Sequence, residues 1–208
     1  MRLLVPRAAD AVNAGPVPDV LTVDCGVTDL ARLIPAAQGG DRLAFGELYA
    51  HYARAVHGIV LSRVPRADVD DLVQDVFVVA MQRLGTLRDP QSFGGWLAAI
   101  ARNRATDYLR RTPQTKELTD DLLSSDAVSS PALSVRVASA LDRMEALAVL
   151  TAIRALPDAY RETLVLRLVE GMTGPEIAAR TGLTAASVRV NLHRGMKQLR
   201  ERLRGSYE

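Results

Sequence analysis

Cysteine is nearly absent from this chain of 208 residues. Cys25 stands alone, which excludes an internal disulfide framework and any zinc site built on several cysteines. Histidine is scarce too: His51, His57 and His193 lie far apart and belong to no metal-binding spacing, so neither a metal nor a cofactor is expected. Lys116 and Lys197 are the only lysines, so arginine supplies nearly all of the 26 basic residues. No apolar run approaches the roughly 18 residues that span a bilayer. The N-terminal MRLLVPRAADAV is broken by Pro6, Arg7 and Asp10 where a signal peptide needs an unbroken apolar stretch. A soluble cytoplasmic protein without membrane insertion is expected. There is no GxxxxGK[ST], no HExxH, and no Ser–His or Cys–His arrangement that spacing supports, so no enzyme signature is present. No segment alternates with period two over a useful length, so no sheet is expected.

What remains is ordinary for folded protein, 48% hydrophobic and 24% charged. The net charge of +2 is unevenly spread. Ten arginines oppose eight acids over 41–111, three basic residues oppose five acids over 112–143, and ten basic residues oppose seven acids over 144–208. Two mildly basic segments thus flank an acidic one. Arginine forks suit phosphates and guanine edges, although such a skew also follows from genome base composition.

The periodicity predicts an all-α chain of two small helical domains. Residues 1–27 mix Pro, Gly, Val and Asp without period and read as a flexible tail or as the product of a misassigned start codon. A short helix is expected from Thr28, interrupted near Pro35 and closed by Gly39 and Gly40. From Asp41 to about Val64, Phe45, Leu48, Tyr49, Tyr52, Val56, Ile59 and Val60 form one apolar stripe, and Pro65 ends it. From Asp68 to Leu84, closed by Gly85, the stripe is Val69, Leu72, Val73, Val76, Phe77 and Ala80, with Asp68, Asp70 and Asp71 at the positive end of the helix dipole. A loop, TLRDPQS, leads to a helix from about Phe93 to Arg111 with Trp96, Leu97, Ile100, Ala101 and Leu109 inward. Together 28–111 make the first bundle. Residues 112–137, rich in Ser, Thr, Asp and Pro, read as a flexible acidic linker. The second domain, 138–208, carries a helix to about 156, another from Pro157 to Gly171, a short one between Thr173 and Gly182, and a last one from Thr184 to about Arg204. Nothing is expected beyond it.

Three patterns carry chemistry. Over 174–193 a short helix, a turn at Gly182 and a second helix have helix-turn-helix spacing, with Ile177, Leu183 and Val188 plugging the corner and Ala178 at the crossing. The second helix presents Ser187, Arg189, Val190, His193, Arg194 and Lys197 outward, as a major-groove reader would; an αα-corner with a solvated arginine face fits the same spacing. Next, Phe93-Gly94-Gly95-Trp96-Leu97 runs into a segment with Arg102, Arg104, Arg110 and Arg111. Aromatics beside arginines suit single-stranded nucleic acid, while Trp96 fits a core position. Asn103, at the edge of the stripe, is either a local hydrogen-bonding residue or a reader of base edges. Finally, Asp71, Gln74 and Asp75 share one face opposite Val69, Val73 and Val76, as either a solvated face or a docking surface.

Taken jointly, DDLVQDVF, then FGGWLAAIARNRATDYLRR, a linker, and LPDAYRETLVLRLVEGMTGPEIAARTGLTAASVRVNLHRGMKQL resemble the extracytoplasmic-function (ECF) group of sigma-70-family sigma factors, over about 28–111 and 139–204. The resemblance implies an alternative sigma factor that directs promoter recognition and strand opening without bond chemistry of its own. It implies a sigma-2-like domain that binds the clamp coiled coil of the largest subunit of bacterial core RNA polymerase and opens the −10 element. It also implies a sigma-4-like domain that binds the polymerase flap and the −35 element of promoter DNA. By position, Asp71, Gln74 and Asp75 match the clamp face. The loop Leu87, Arg88, Asp89 through Phe93 matches the loop that captures a flipped −10 base, and Asn103 lines that pocket. Arg102, Arg104, Arg110 and Arg111 would hold the strand nearby. Ser187, Arg189, Val190, His193, Arg194 and Lys197 form the −35 face. The acidic linker matches the segment that threads the polymerase near the RNA exit path. Many members have Ser-Arg where this chain has Val190-Asn191, which removes one phosphate-seeking charge. An anti-sigma factor wedged between the domains is expected on the resemblance alone. The alternative function is a stand-alone dimeric helix-turn-helix regulator, which would bind a palindromic duplex without polymerase.

Overall fold

The computed structural model describes residues 27–112 and 140–205. The tail before Val27, Cys25 within it, and all of the expected linker beyond Thr112 lie outside the described residues. Among the described residues there are eight α-helices and no strand: α1 Val27–Gln38, α2 Arg42–Leu61, α3 Val69–Arg83, α4 Phe93–Arg111, α5 Ala140–Arg154, α6 Asp158–Leu168, α7 Gly174–Thr181 and α8 Ala185–Gly205. Short 3₁₀ turns occupy Arg66–Asp68, Leu84–Thr86 and Pro90–Ser92.

Side-chain caps fix the starts of α2 and α8. Asp41 Oδ1 accepts from the N–H groups of Leu43 (2.8 Å) and Ala44 (3.2 Å), satisfying two donors that α2 cannot satisfy internally. Thr184 Oγ1 does the same for Ser187 N at 3.1 Å at the start of α8. The α3 stripe is buried at all six expected positions, Val69, Leu72, Val73, Val76, Phe77 and Ala80. These residues pack α3 against α2 and α4, and α1 closes over α2.

Several local expectations need correction. Pro35 lies inside α1 and does not interrupt it. Leu30, Leu33 and Ile34 bury there, and their burial outweighs the one backbone bond that proline removes. Tyr49 is not enclosed in the α2 stripe: it sits at the surface with its ring 4.5 Å from that of Phe77. Leu109 is not inward but 49% exposed. The inward path along α4 runs Leu97, Ile100, Ala101, Ala105 and then Tyr108, whose hydroxyl donates to Asp68 at 2.7 Å. At about 100° per residue that leaves Leu109 turned away. α6 stops at Leu168, short of Gly171. The last turn of α3 tightens into the 3₁₀ turn over Leu84–Thr86 rather than ending at Gly85.

The two helical groups, α1–α4 and α5–α8, share one continuous core. α6 and α7 pack on α2, and α7 packs on α4. The joint is close. A Cβ placed on Gly58 of α2 would lie 2.6 Å from Leu166 Cδ2 and 2.9 Å from Glu170 Cγ, and one on Gly94 of α4 would lie 2.6 Å from the carbonyl oxygen of Ala179.

Candidate nucleic-acid interface

The helix-turn-helix is built by a reciprocal cap and a left-handed turn. The Thr173 side chain accepts from Glu176 N, while Glu176 Oε2 accepts from Thr173 N at 2.7 Å and from Thr173 Oγ1 at 2.7 Å. The backbone N–H of Thr173, followed by its hydroxyl, holds the Glu176 carboxyl below the usual glutamate range. Gly182 takes φ +73°, the conformation that turns the chain between α7 and α8. Ile177 and Val188 are buried in the corner, with Leu183 half-buried beside them. That registration leaves Ser187, Arg189, Val190, His193, Arg194 and Lys197 exposed along α8. The Ser187 hydroxyl is shared with Thr184 Oγ1 at 2.8 Å, so it belongs partly to the cap.

The loop ahead of α4 is held by its two ends. Leu87 is 9% and Phe93 1% exposed, whereas Arg88, Asp89, Gln91 and Ser92 between them lie at the surface. Phe93 meets Tyr52 edge-on, with centroids 5.0 Å apart and planes at 81°. Gln38 Nε2 donates to the carbonyls of Leu84 and Leu87, each at 2.9 Å, and pins the loop to α1. Asp89 accepts from Ser92 Oγ at 2.6 Å and from Gln91 N at 3.0 Å, and these bonds hold its carboxyl below the ordinary aspartate range. Its charge therefore shapes the loop from within.

On α4, Asn103, Arg110 and Arg111 are exposed. By helical rise Asn103 stands about 15 Å along the axis from Phe93. Arg104 is half-buried with its guanidinium 3.8 Å from Asp75. Arg102 is turned to the second helical group. Its Nε lies 3.0 Å from Glu162 Oε2 and its Nη2 2.7 Å from Glu162 Oε1, with a further bond to the carbonyl of Thr181 at 3.4 Å. The structure thus brings the loop residues together and draws Arg102 away from them.

Asp71, Gln74 and Asp75 are exposed on one face of α3. Val78 and Met81 continue the same face at helical spacing and are exposed too, an apolar extension that sequence reasoning missed. The signal was available: both are apolar residues off the buried stripe. Also missed were two acids inside the joint. Glu162 is 4% exposed and also meets Arg63 Nη2 at 3.1 Å, and Glu170 is 2% exposed and meets His57 Nδ1 at 2.6 Å. Among the described residues no group of three or more His, Cys, Asp or Glu side chains is placed to hold a metal ion, and no helix is long and apolar enough to cross a membrane.

Comparison with known proteins gives one answer. The family model "Sigma-70 region 2" matches residues 48–114, and "Sigma-70, region 4" matches residues 146–199. The RNA polymerase sigma factor NccH of Alcaligenes xylosoxydans xylosoxydans is 34% identical over 179 residues, covering 82% of this chain and 92% of that protein. The ECF RNA polymerase sigma factor BldN of Streptomyces coelicolor is 30% identical over 174 residues, covering 82% of this chain; the chain spans only 64% of BldN's length. The solved structure of CnrH in complex with the cytosolic domain of CnrY aligns with a TM-score of 0.57 and 28% identity, covering 85% of this chain and 98% of that one.

Proposed function

The chain belongs to the extracytoplasmic-function group of sigma-70-family RNA polymerase sigma factors, and from that premise we propose that it is an alternative sigma factor acting in the cytoplasm as a specificity subunit without catalysis of its own. It supplies core polymerase with promoter recognition and strand opening. The boundaries we assign are a sigma-2-like domain over 28–111 and a sigma-4-like domain over 138–208. One observation carries the reading: a single chain holds an exposed arginine-bearing recognition helix and, on a different bundle, an exposed polar loop anchored at Leu87 and Phe93.

The division of labour follows from the two surfaces. α8 enters the major groove at the −35 element, where Arg189 and Arg194 reach base edges or phosphates and each good base contact contributes about 1–3 kcal/mol of discrimination. The loop over 87–93, with Asn103, receives a base flipped out of the −10 element; a shaped pocket offsets the few kcal/mol that unstacking costs. Arg110 and Arg111 hold the adjacent strand through its phosphates. Asp71, Gln74 and Asp75 dock on the clamp coiled coil of the polymerase, and the second domain rests on the flap. A protein partner comparable to the CnrY domain in the CnrH complex, an anti-sigma factor, is proposed for this chain as well.

Reconstitution tests the function. Core polymerase with this chain should start transcripts at defined promoters; initiation indistinguishable from core alone across a genome-wide promoter set overturns it. Tight binding to a palindromic duplex without polymerase would establish the stand-alone regulator instead. Asp75→Lys should lower core affinity about tenfold or more with the helical content intact, measured by titration against labelled core. An affinity equal to wild type would show that this face is only solvated.

A further inference from the structure

We propose that Gln38, the last residue of α1, is a positioning residue for base capture: its side-chain amide bridges the carbonyls of Leu84 and Leu87 and so fixes the loop over 87–93 in the shape that receives a flipped base. The inference rests on the reading of that loop given above and adds what holds it in place.

α1 lies ahead of the stretch matched as sigma-70 region 2, which begins at residue 48. It packs on α2, with Leu30, Leu33 and Ile34 buried. It also packs on both 3₁₀ turns that bracket Leu87, Arg88 and Asp89, the one over Leu84–Thr86 and the one over Pro90–Ser92. Immediately after Gln38 the chain reverses: Gly39 N bonds back to Pro35 O, Gly40 N to Ala37 O, and Gly40 takes φ +94°. The apolar residues of α1 supply packing, and Gln38 supplies alignment. Its Nε2 carries two hydrogens, and Leu84 O and Leu87 O each lie 2.9 Å from it. Gln38 itself is exposed, so replacing it removes alignment and little packing.

The two carbonyls are the ends of one turn, since Leu87 N donates to Leu84 O at 3.0 Å. One amide that holds both ends fixes the turn and the direction in which the chain leaves it. Leu87 is extended there, with φ −75° and ψ 117°. A trans peptide unit carries its C=O and its N–H in opposite directions, and among the described residues no peptide is cis. The Leu87 carbonyl faces Gln38, so the N–H of Arg88 faces away from α1. Ahead of Arg88, the Asp89 carboxyl closes the next turn through Gln91 N and Ser92 Oγ. Arg88 thus stands between two fixed points, Gln38 behind it and Asp89 ahead.

Such fixing has a use. Unstacking a base costs free energy that the receiving loop has to return. A loop already held in shape returns it without losing conformational freedom on binding.

The experiment uses the full chain. In the free protein, hydrogen exchange at Leu87 N and Ser92 N, each bonded within its own 3₁₀ turn, should quicken about tenfold in Gln38→Met, the worth of one to two ordinary hydrogen bonds. Exchange inside α3 and α4 should stay as in wild type. Unchanged exchange at both amides would show that the loop keeps its shape without the Gln38 amide, and overturns the proposal. With core polymerase, initiation is then measured at a promoter this holoenzyme uses, each base being placed in turn at every position of the −10 element. Discrimination at the most selective position should fall about tenfold in Gln38→Met, and discrimination at the −35 element should not change. Gln38→Glu, which turns a carboxylate without a donor toward the two carbonyls, should lose at least as much. Gln38→Lys brings a donor-only group on a stem of similar reach and should restore most of the discrimination. That rescue separates alignment from the filling of space. Arg88→Ala with Gln91→Ala, within the loop, is the control for the capture reading. Loss in the loop variant but not in Gln38→Met overturns the role of Gln38. Loss in Gln38→Met that Gln38→Lys does not restore, or that extends to the −35 element, overturns it as well, because it would mark a general loosening. Unchanged discrimination in both the loop variant and Gln38→Met overturns the capture reading, and the role of Gln38 with it.

Discussion

The arginines of α8 and those of α4 sit in opposite electrostatic circumstances. Along α8, Arg189, Arg194 and the neighbouring Lys197 stand at the surface of a corner held by its own cap and its own turn. Along α4, Arg102 is forked on Glu162 and Arg104 leans on Asp75, and only Arg110 and Arg111 at the helix end are exposed. The contrast teaches that the two proposed nucleic-acid surfaces differ in how far their arginines are already engaged rather than in composition. If both surfaces act as proposed, a duplex would meet the exposed Arg189 and Arg194 of α8 directly, whereas a strand approaching Arg102 and Arg104 would first displace Glu162 and Asp75.

The sharpest way to break that comparison is to remove the acid. Glu162→Ala strands two cations in a low-dielectric joint, Arg63 nearly buried and Arg102 part-buried. Loss of one partner of a fully buried pair costs about 3–5 kcal/mol. The part-exposure of Arg102 lowers the expectation to about 2–3 kcal/mol in chemical denaturation. Arg189→Ala, on an exposed position, should change stability by no more than about 0.5 kcal/mol. Equal effects of the two substitutions would erase the distinction between an engaged and a ready surface.

Arg189, nearly silent in stability, should count in promoter binding, and so should Arg194. Arg189→Ala and Arg194→Ala should each weaken −35 dependence by about 1–3 kcal/mol if their forks reach bases, read as altered promoter ranking by holoenzyme. A fall that is uniform over promoters, with a smaller salt slope, would assign the side chain to phosphate instead. Unchanged ranking and unchanged salt dependence would show that α8 presents a solvated face.

How far the sequence announced this molecule follows the same line. The helices, the α3 stripe and the helix-turn-helix were legible because their signals are local: apolar spacing, Thr173 three residues before Glu176, Gly182 at the turn. Leu109 was misplaced because a stripe read from chosen positions drifts by the end of a 19-residue helix, where Tyr108 is held by Asp68. Pro35 was overrated because its local cost is set against burial that only the tertiary fold supplies. Among the candidate site residues, exposure on α8, on α3 and in the loop over 88–92 agrees with what spacing suggested. The engagement of Arg102 does not, since Glu162 lies 60 residues away and reads in isolation as one more solvated acid. Gly58 and Gly94 held a faint version of that information, as bare positions inside helices.

The smallest effect concerns how α8 is held ready. Glu176 closes the cap of α7 with its carboxyl held below the usual glutamate value of about 4.5. A carboxyl with a lowered folded-state value contributes stability that is fully present above its unfolded value and is lost as pH falls through the folded one. The corner should therefore loosen below about pH 4.5, and hydrogen exchange at the amides of α7 should report it before exchange in α3, whose N-cap residue Asp68 makes no side-chain cap bond. Glu176→Gln keeps the reciprocal cap, which tolerates glutamine, and removes the titrating group. It should cost only a few tenths of a kcal/mol at neutral pH and flatten the acid-induced rise in α7 exchange. An α7 that loosens in acid to the same extent in the Glu176→Gln variant would show that this carboxyl does not set the acid sensitivity of the corner, and that the cap is not what holds α8 ready.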